Sequence, residues 1–416
     1  MNDRSGIAKI PKHVPMNQFE VADNCLQIAG QPLVDIAMQL GDTPFYAYDR
    51  TLMRTQVEHL RATLPAEIHL HYAIKANPMP EVVQYLAGIT DGLDVASAGE
   101  LEVALKAGAS PANISFAGPG KSDTDLQAAV DSGVIINMES NGEMLRIAAL
   151  AERNSVRPRV AIRVNPDFEL KSAGMKMGSG AKPFGVDAEC VPAMLESLKE
   201  LPLEFMGFHI FSGSQNLREQ AIIEAQTKTF ELAFRLAQFA PSPVRWLNIG
   251  GGLGVPYFPG ERRLDLAAIG ANLFPLIKTA REKLPEAEIV MELGRYLTAE
   301  AGIYVCEVVD RKVSRGEVFL ITNGGLHHHL AASGNFGQVI RKNYPLCLGN
   351  RISADEMEMV NVVGPLCTPL DVLGNRVNLP RAGPGDLIVV FQSGAYGFTA
   401  SPKDFLSHPH PSEVLL

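Results

Sequence analysis

The residues of this chain that are best suited to chemistry stand at the ends of short apolar runs. Lys75 ends the run IHLHYAIK at 68–75. A lysine amine forms a Schiff base with an aldehyde once it is deprotonated, and desolvation among strand ends lowers a lysine pKa. We therefore expect Lys75 to be a nucleophile with a lowered pKa. The alternative interpretation is a surface lysine at the end of a strand.

Three consecutive glycines, Gly250, Gly251 and Gly252, follow another apolar run. Glycine lets backbone N–H groups approach an anion closely, and phosphate is the usual anion, although tight turns also use glycine. Arg295 ends the next run and strengthens the prediction of a phosphate site. Glu292 either forms a local ion pair with Arg295 or contacts a cationic group such as a protonated pyridine nitrogen.

Other acidic residues have simpler interpretations. Asp94, inside the run GLDVAS, is expected to pair with a cation such as Lys75 or Arg163, or to face a cofactor. Glu100 and Glu143 each stand three residues after a serine, which is the spacing of a helix capping box, and capping is the role we assign to both.

The sequence His327-His328-His329 raises the question of a metal site. Successive side chains of an extended segment point to opposite faces, so three in a row cannot all bind one ion. We therefore predict no metal site and place one or two of these histidines, His328 in particular, near the substrate. Cys367 is expected on a turn after a strand, where a free cysteine is usually a buried apolar residue.

Eight such apolar runs recur, and alanine- and leucine-rich helical stretches separate them. The runs cover 68–75, 92–97, 113–120, 133–140, 159–166, 204–214, 245–252 and 288–295. Strands alternating with helices indicate a parallel sheet, and eight in series predict an α/β fold, the (β/α)8 TIM barrel, whose active site lies at the carboxyl ends of the strands.

A second domain is also expected, because 416 residues exceed the roughly 250 of a barrel alone. Residues 19–30 predict a hairpin that turns near Asp23 and Asn24, and 32–41 a short helix. After Glu292 the chain is mostly strand-like, with turns rich in Gly, Pro and Asn. We predict a barrel at 45–298 and an antiparallel β domain built from 16–44 and 299–416.

Composition excludes several classes of partner. The net charge of −9 and the absence of a basic stripe argue against nucleic acid and anionic membranes. No apolar run reaches the roughly 18 residues that span a bilayer, and the N-terminus lacks a signal-peptide core. Five widely spaced cysteines without a CxxC motif favour reduced thiols in the cytoplasm.

From about residue 20 to its end, the chain resembles the fold-type III pyridoxal-phosphate decarboxylases, the diaminopimelate/ornithine decarboxylase group. The resemblance is carried by YAIKAN, LDVASAGELE, RVNP, GSQ, GGG, ELGR, GPLC and SGAYGF. It implies a barrel of the alanine-racemase type, pyridoxal 5'-phosphate bound covalently by Lys75, and a homodimer with shared active sites in which Cys367 protonates the product in the partner's site. The implied cofactor contacts are Lys75, Asp94, Arg163, Phe211, Ser214, Gly250, Gly251, Gly252, Glu292, Arg295 and Tyr396.

The chain departs from the family pattern at positions that concern the substrate. Phe211 replaces the ring-stacking histidine of HxHxGS, and Thr368 replaces the acid that follows the motif cysteine and holds a distal amine. The arginine that holds a distal carboxylate has no evident equivalent in GGLHHHLAASG. The strings KMGSGAKPFG, NIGGGLGVPYF, GGLHHH, GPLCTP and SPKDFLSHPHP are similar to a subgroup that includes a carrier-protein-linked glutamyl decarboxylase and exosortase-associated decarboxylases.

The sequence therefore predicts decarboxylation of an L-amino acid or aminoacyl group, with an acyl-carrier-protein-tethered substrate as one form. Three alternatives stay open at this point. A racemase on the same fold would favour an arginine instead of Glu292 at the ring nitrogen. A non-catalytic decarboxylase-like regulator would not need Lys75, and a cofactor-free Schiff-base aldolase would not need the glycine run or Tyr396.

Overall fold

A computed structural model describes residues 11–168, 175–176 and 180–416, so part of the string KMGSGAKPFG lies outside the described residues. Each predicted run forms one strand of a closed parallel barrel, because the fourth strand pairs with the fifth and the eighth with the first. The barrel strands are Ile68–Ala73, Gly92–Val95, Ile114–Phe116, Ile135–Met138, Arg159–Asn165, Glu204–Ile210, Trp246–Gly251 and Glu288–Leu293. The predicted fold class is confirmed.

Amphipathic helices connect the strands and cover the barrel. The helix that leads into the first strand begins where the Asp49 carboxylate accepts hydrogen bonds from the amides of Thr51 and Leu52, an N-cap that satisfies two otherwise unpaired donors. The helices are Leu33–Leu40, Arg50–Thr63, Pro80–Ala87, Ala98–Lys106, Asp123–Ser132, Asn141–Asn154, Val191–Leu198, Glu219–Ala237, Leu266–Lys283 and Arg295–Thr298. In the described part of the chain, no helix is long and apolar enough to cross a membrane.

The C-terminal part forms a largely antiparallel β domain around the long strand Gly302–Ser314. That strand pairs along its first half with Phe45–Tyr48 and Leu387–Val390, and along its second half with Glu317–Thr322. The other strands of this sheet are Leu346–Leu348, Met357–Val363, Val372–Pro380 and Ser412–Leu415. Phe45–Tyr48 falls within the predicted barrel segment, yet it belongs to this sheet.

The N-terminal hairpin turns at Asp23 and Asn24 as expected and forms a small sheet of its own with the strands Val21–Ala22, Cys25–Ile28 and Gln31–Pro32. It joins the β domain by packing: Leu26 and Ile28 share a buried apolar cluster with Ile303 and Val389. The β domain in turn contacts the barrel beside Lys75, where the amide of Tyr396 donates to the carbonyl oxygen of Ala76 at 2.8 Å.

Candidate active site

A cavity of about 320 Å³ opens at the carboxyl ends of the barrel strands. Most of the residues predicted to bind a cofactor line it together. They are Lys75, Asp94, Arg163, Phe211, Ser214, Gly252, Glu292, Arg295 and Tyr396. Gly250 and Gly251 lie in the same turn as Gly252 but are not among the described residues that line the cavity.

Lys75 lies in a single 3-10 turn directly after the first strand, and its side chain is 47% exposed toward the cavity. Its Nζ atom lies 3.2 Å from Oε1 of Glu292, whose side chain is only 7% exposed at the end of the eighth strand. The Glu292 carboxylate raises the pKa of Lys75 well above its ordinary value, by more than desolvation lowers it. The expected lowered pKa of Lys75 is therefore wrong for this state of the site. The attraction of a buried carboxylate has a larger effect on the pKa than the loss of solvent around the amine.

Glu292 also faces His209, a residue at the end of the sixth strand that sequence reasoning missed. Nε2 of His209 lies 3.2 Å from Oε2 of Glu292. Burial alone would raise the pKa of Glu292, but Lys75 and His209 hold it well below its usual range. No ion pair joins Glu292 to Arg295 among the described residues, so the local-pair interpretation of ELGR is wrong.

Arg163, at the end of the fifth strand, is held by a second missed residue. Glu139 accepts a hydrogen bond from Nη1 of Arg163 at 2.8 Å, and also from the amides of Gly118 at 2.6 Å and Gly185 at 3.0 Å. The ring of Phe184 lies 5.1 Å from the guanidinium. Glu139 therefore ties Arg163 to two loops of the cavity wall. Burial would raise the pKa of Glu139, and Arg163 brings it below its usual value.

The glycine run forms a tight turn in which side chains do not fit. Gly250 and Gly252 have φ angles of +67° and +74°, and a Cβ on Gly251 or Gly252 would overlap a carbonyl oxygen of Glu292 or Gly213 respectively. Glycine is required here because this backbone region disfavours L side chains. The turn requires glycine whether or not it also binds an anion.

Arg295 lies beside this turn at the start of the helix Arg295–Thr298. Its Nη1 donates to the hydroxyl of Tyr257 at 2.7 Å, and its guanidinium lies 4.5 Å from the centre of the Tyr396 ring. Tyr257 in turn packs on Tyr344 of the β domain with ring centroids 4.7 Å apart. Aromatic groups from both domains thus hold the guanidinium at the cavity wall.

Asp94 lines the cavity but pairs with neither Lys75 nor Arg163. Its Oδ2 lies 3.6 Å from Nδ1 of His71, and its Oδ1 accepts a hydrogen bond from Ser115. Burial lowers the pKa of His71, but the Asp94 carboxylate more than compensates and the net shift is upward. The predicted cation partner is corrected to a buried histidine on the neighbouring strand.

The capping predictions are confirmed in part. Ser97 and Ser140 each accept a hydrogen bond from the amide three residues on, at 3.1 Å. The carboxylate of Glu100 reaches the amide of Ala96 rather than that of the cap, and that of Glu143 reaches Glu139.

The three histidines are not extended. Residues 326–328 form a turn in which the amides of His328 and His329 both donate to the carbonyl oxygen of Gly325, and the rings of His327 and His328 lie 3.7 Å apart. The premise of opposite faces is therefore wrong. Within the described residues no group of three or more His, Cys, Asp or Glu side chains could hold a metal.

His328 is a core residue of the β domain. Its ring nitrogens lie 3.2 Å from the Tyr304 hydroxyl and 2.9 Å from the carbonyl oxygen of Pro409, and burial lowers its pKa to about 4. His328 is not among the described residues that line the cavity of its own chain, and its position near the substrate stays a prediction. Cys367 lies on a turn after Met357–Val363 and is exposed, with Thr368 beside it. Neither is among the described residues that line the cavity.

The missed residues left weak signals in the sequence. His209 stands inside the run at 204–214, and Glu139 inside the run at 133–140. Both lie where a barrel strand presents its last side chains to the active site. Tyr257 and Phe184 lie in loops, and no periodicity places a loop residue in a cavity wall.

Comparisons with known proteins agree with this geometry. Residues 50–299 match the family model described as the pyridoxal-dependent decarboxylase, pyridoxal binding domain. The chain is 40% identical over 380 residues to the L-glutamyl-(BtrI acyl-carrier protein) decarboxylase of Niallia circulans, covering 90% of this chain and 89% of the relative. It is 32% identical over 404 residues to the diaminopimelate decarboxylase of Aquifex aeolicus, covering 96% and 92%.

Solved structures show the same similarity. The diaminopimelate decarboxylase of Helicobacter pylori, in complex with L-lysine, superposes with a TM-score of 0.81 at 28% identity, covering 92% of this chain and 94% of that one.

Proposed function

Since this chain belongs to the pyridoxal-dependent decarboxylases, it is a pyridoxal-phosphate enzyme that decarboxylates an amino acid or aminoacyl group, and we propose that its substrate is an aminoacyl group tethered to an acyl carrier protein. The racemase, regulator and aldolase alternatives are set aside, because the named relatives are decarboxylases.

The residues of the cavity fit pyridoxal phosphate. Lys75 offers an amine to a cavity of about 320 Å³, and Gly252 and Arg295, which line the same cavity, would hold an anion there. Bound there, the cofactor would supply an electron sink for the bond to the departing carboxylate. Lys75 would hold its aldehyde, and Gly252, Ser214, Arg295 and Tyr396 its phosphate. Arg163 and Asp94 would contact the remaining polar groups.

Glu292 carries the proposed role in decarboxylation. It is buried, ionised and held by His209, so it can keep a proton on a ring nitrogen at the cavity floor. The ring of Phe211 has its centre 5.9 Å from Nζ of Lys75 and would stack on the cofactor, while it cannot donate a proton.

The substrate proposal rests on the charged side chains that line the cavity and on the roles they already have. The charged side chains among the cavity's described lining residues are Lys75, Asp94, Arg163, Glu292 and Arg295, and each has a proposed role toward the cofactor. Phe184, Leu253 and Pro119 are apolar parts of the wall, and Ser214 and Gln215 add uncharged polar groups to it. Thr368 stands where the family pattern has an acid. Among the described lining residues no charged group is then left to bind a distal charge, and the relative from Niallia circulans acts on a glutamyl group carried by a protein.

We further propose that the active site is shared between two copies of the chain. Cys367 is exposed on its own chain and is not among the described residues that line its cavity, which supports a role for its thiol in the site of a neighbouring copy. In that arrangement Cys367 returns a proton to the product carbon.

The substrate is tested by measuring CO2 release from aminoacyl groups on a purified acyl carrier protein and from the same free amino acids, together with free diaminopimelate, ornithine and lysine. We expect the tethered form to have a kcat/KM higher by roughly 10²-fold or more, because binding energy from the carrier adds to that of the reacting group. Equal or faster turnover of a free diamino acid would overturn the tethered substrate but not the decarboxylase assignment.

The variant Thr368→Asp tests the same substrate preference. It restores the acid of the family pattern next to Cys367, so we expect it to gain activity on free diamino acids and to lose activity on the tethered group.

A further inference from the structure

The barrel interior beneath the cavity carries a layer of polar side chains, one from each strand. We call this layer the polar ring. Its members are His71, Asp94, Ser115, Asn137, Arg163, His209, Asn248 and Glu292, all at least nine-tenths buried. Interiors of such barrels are ordinarily filled with branched apolar side chains.

The alternation along the strands places these residues inside the barrel. Ile135, Ala161, Trp246 and Val290 form an apolar cluster across the lower interior. Asn137, Arg163, Asn248 and Glu292 each stand two residues later on the same four strands, so their side chains project to the same side one layer higher. Neighbouring strands continue the layer, since His71 pairs in register with Glu292, Ser115 with Asp94, and His209 with both Arg163 and Asn248.

Direct contacts connect only parts of the polar ring. Ser115 donates to Asp94, and Nδ2 of Asn137 donates to Ser115 at 3.2 Å. His71 faces Asp94 at 3.6 Å, and His209 faces Glu292 at 3.2 Å, without the geometry of a hydrogen bond. Few hydrogen bonds therefore join the described members of the polar ring to one another.

Several buried polar atoms of the ring have no hydrogen-bond partner in the described structure. They are both ring nitrogens of His71 and of His209, Oδ2 of Asp94, Oδ1 of Asn137 and Nδ2 of Asn248. Native proteins satisfy nearly all such atoms, with ordered water where protein groups do not reach. Donors and acceptors here come from five strands and surround one interior, which suits molecules that both donate and accept.

We propose that the polar ring is a binding site for a cluster of ordered water molecules, which hydrogen-bond the unpartnered atoms of His71, Asp94, Asn137, His209 and Asn248. Such waters would let a charged carboxylate persist at the floor of the cavity, because they supply the hydrogen bonds that an apolar interior withholds. The inference does not depend on the identity of the substrate.

The first test is a crystal structure of the full chain at a resolution that orders internal solvent. We expect solvent peaks within hydrogen-bond distance of the ring nitrogens of His71 and His209 and of Oδ1 of Asn137. Side chains that pair directly with one another around a dry interior would overturn the proposal.

The second test compares Asn137→Leu with Ile135→Leu, a matched change one layer lower on the same strand. We expect Asn137→Leu to lose the peaks next to residue 137 and keep those next to His209, and Ile135→Leu to keep all of them. Peaks unchanged in Asn137→Leu would show that the ring does not bind these waters. If Asn137→Leu does not fold, the wild-type structure alone decides.

Discussion

Two buried glutamates hold lysines in this barrel, and the two pairs differ in how completely the lysine is satisfied. Nζ of Lys121 donates to the carbonyl oxygens of Gly118 at 2.7 Å and Asn137 at 2.9 Å and to Glu143 at 2.5 Å, and its side chain is 1% exposed. Nζ of Lys75 donates to Glu292 at 3.2 Å, and its side chain is 47% exposed.

The difference separates a structural pair from a reactive one. An ammonium with three good acceptors has no donor left and no open side, so Lys121 fixes the loop after the third strand. Lys75 has one side-chain acceptor and opens onto the cavity, so its amine can leave Glu292 and react. Both lysines follow a barrel strand, and only their surroundings distinguish them.

The largest expected effect comes from Lys75→Ala. Removing the amine should abolish cofactor retention and lower turnover by roughly 10³-fold or more, as loss of a covalent nucleophile does. Lys121→Met should keep bound cofactor, measured by absorbance after gel filtration.

Mixing Lys75→Ala with Cys367→Ala should restore part of the CO2 release if the sites are shared, and no restoration would mean that each site is built from one chain.

For the free energy of unfolding we expect the opposite order, with the larger loss at Lys121. Lys121→Met leaves Glu143 buried without its cation and should lower the free energy of unfolding by about 3–5 kcal/mol. Lys75→Met in cofactor-free protein should cost less, about 1 kcal/mol, because solvent reaches that lysine and His209 still faces the buried Glu292. Urea unfolding measures both, and Glu143→Gln added to Lys121→Met should recover part of the loss. Equal losses for the two lysines would remove the distinction.

The smallest effect concerns pH. Since Glu292 raises the pKa of Lys75, the ammonium form dominates throughout the neutral range, and only the deprotonated amine binds an aldehyde. Uptake of pyridoxal phosphate by cofactor-free protein should therefore speed up by about tenfold per pH unit between roughly pH 7 and 9. Glu292→Gln should raise the rate at neutral pH. A rate independent of pH in the wild-type protein would contradict a protonated Lys75.

Much of the barrel could be predicted because its signals are local. Eight apolar runs separated by helical stretches leave few other folds, and residues that end such runs must meet at one rim. Lys75, Arg163, Glu292 and Arg295 were found for this reason. The roles assigned to these residues toward the cofactor stay predictions.

Two of the wrong predictions have different causes, one a local turn and the other a contact between distant parts of the chain. The sequence predicts an extended segment for the three histidines, but hydrogen bonds to the nearby Gly325 fold them into a turn. The pKa of Lys75 was expected to fall, because no local pattern shows a carboxylate 217 residues away.

The sequence by itself determined the order of strands and helices and which reactive side chains stand at the carboxyl rim, since both follow from periodicity along the chain. Only the tertiary structure decided the pairing of those side chains: Lys75 with Glu292, Arg163 with Glu139, and Asp94 with His71. The Lys75–Glu292 pair depends on barrel closure, which joins the first strand to the eighth, and the other two pairs join consecutive strands. In each case charge and hydrogen bonding act across a few ångströms that spacing along the chain does not encode.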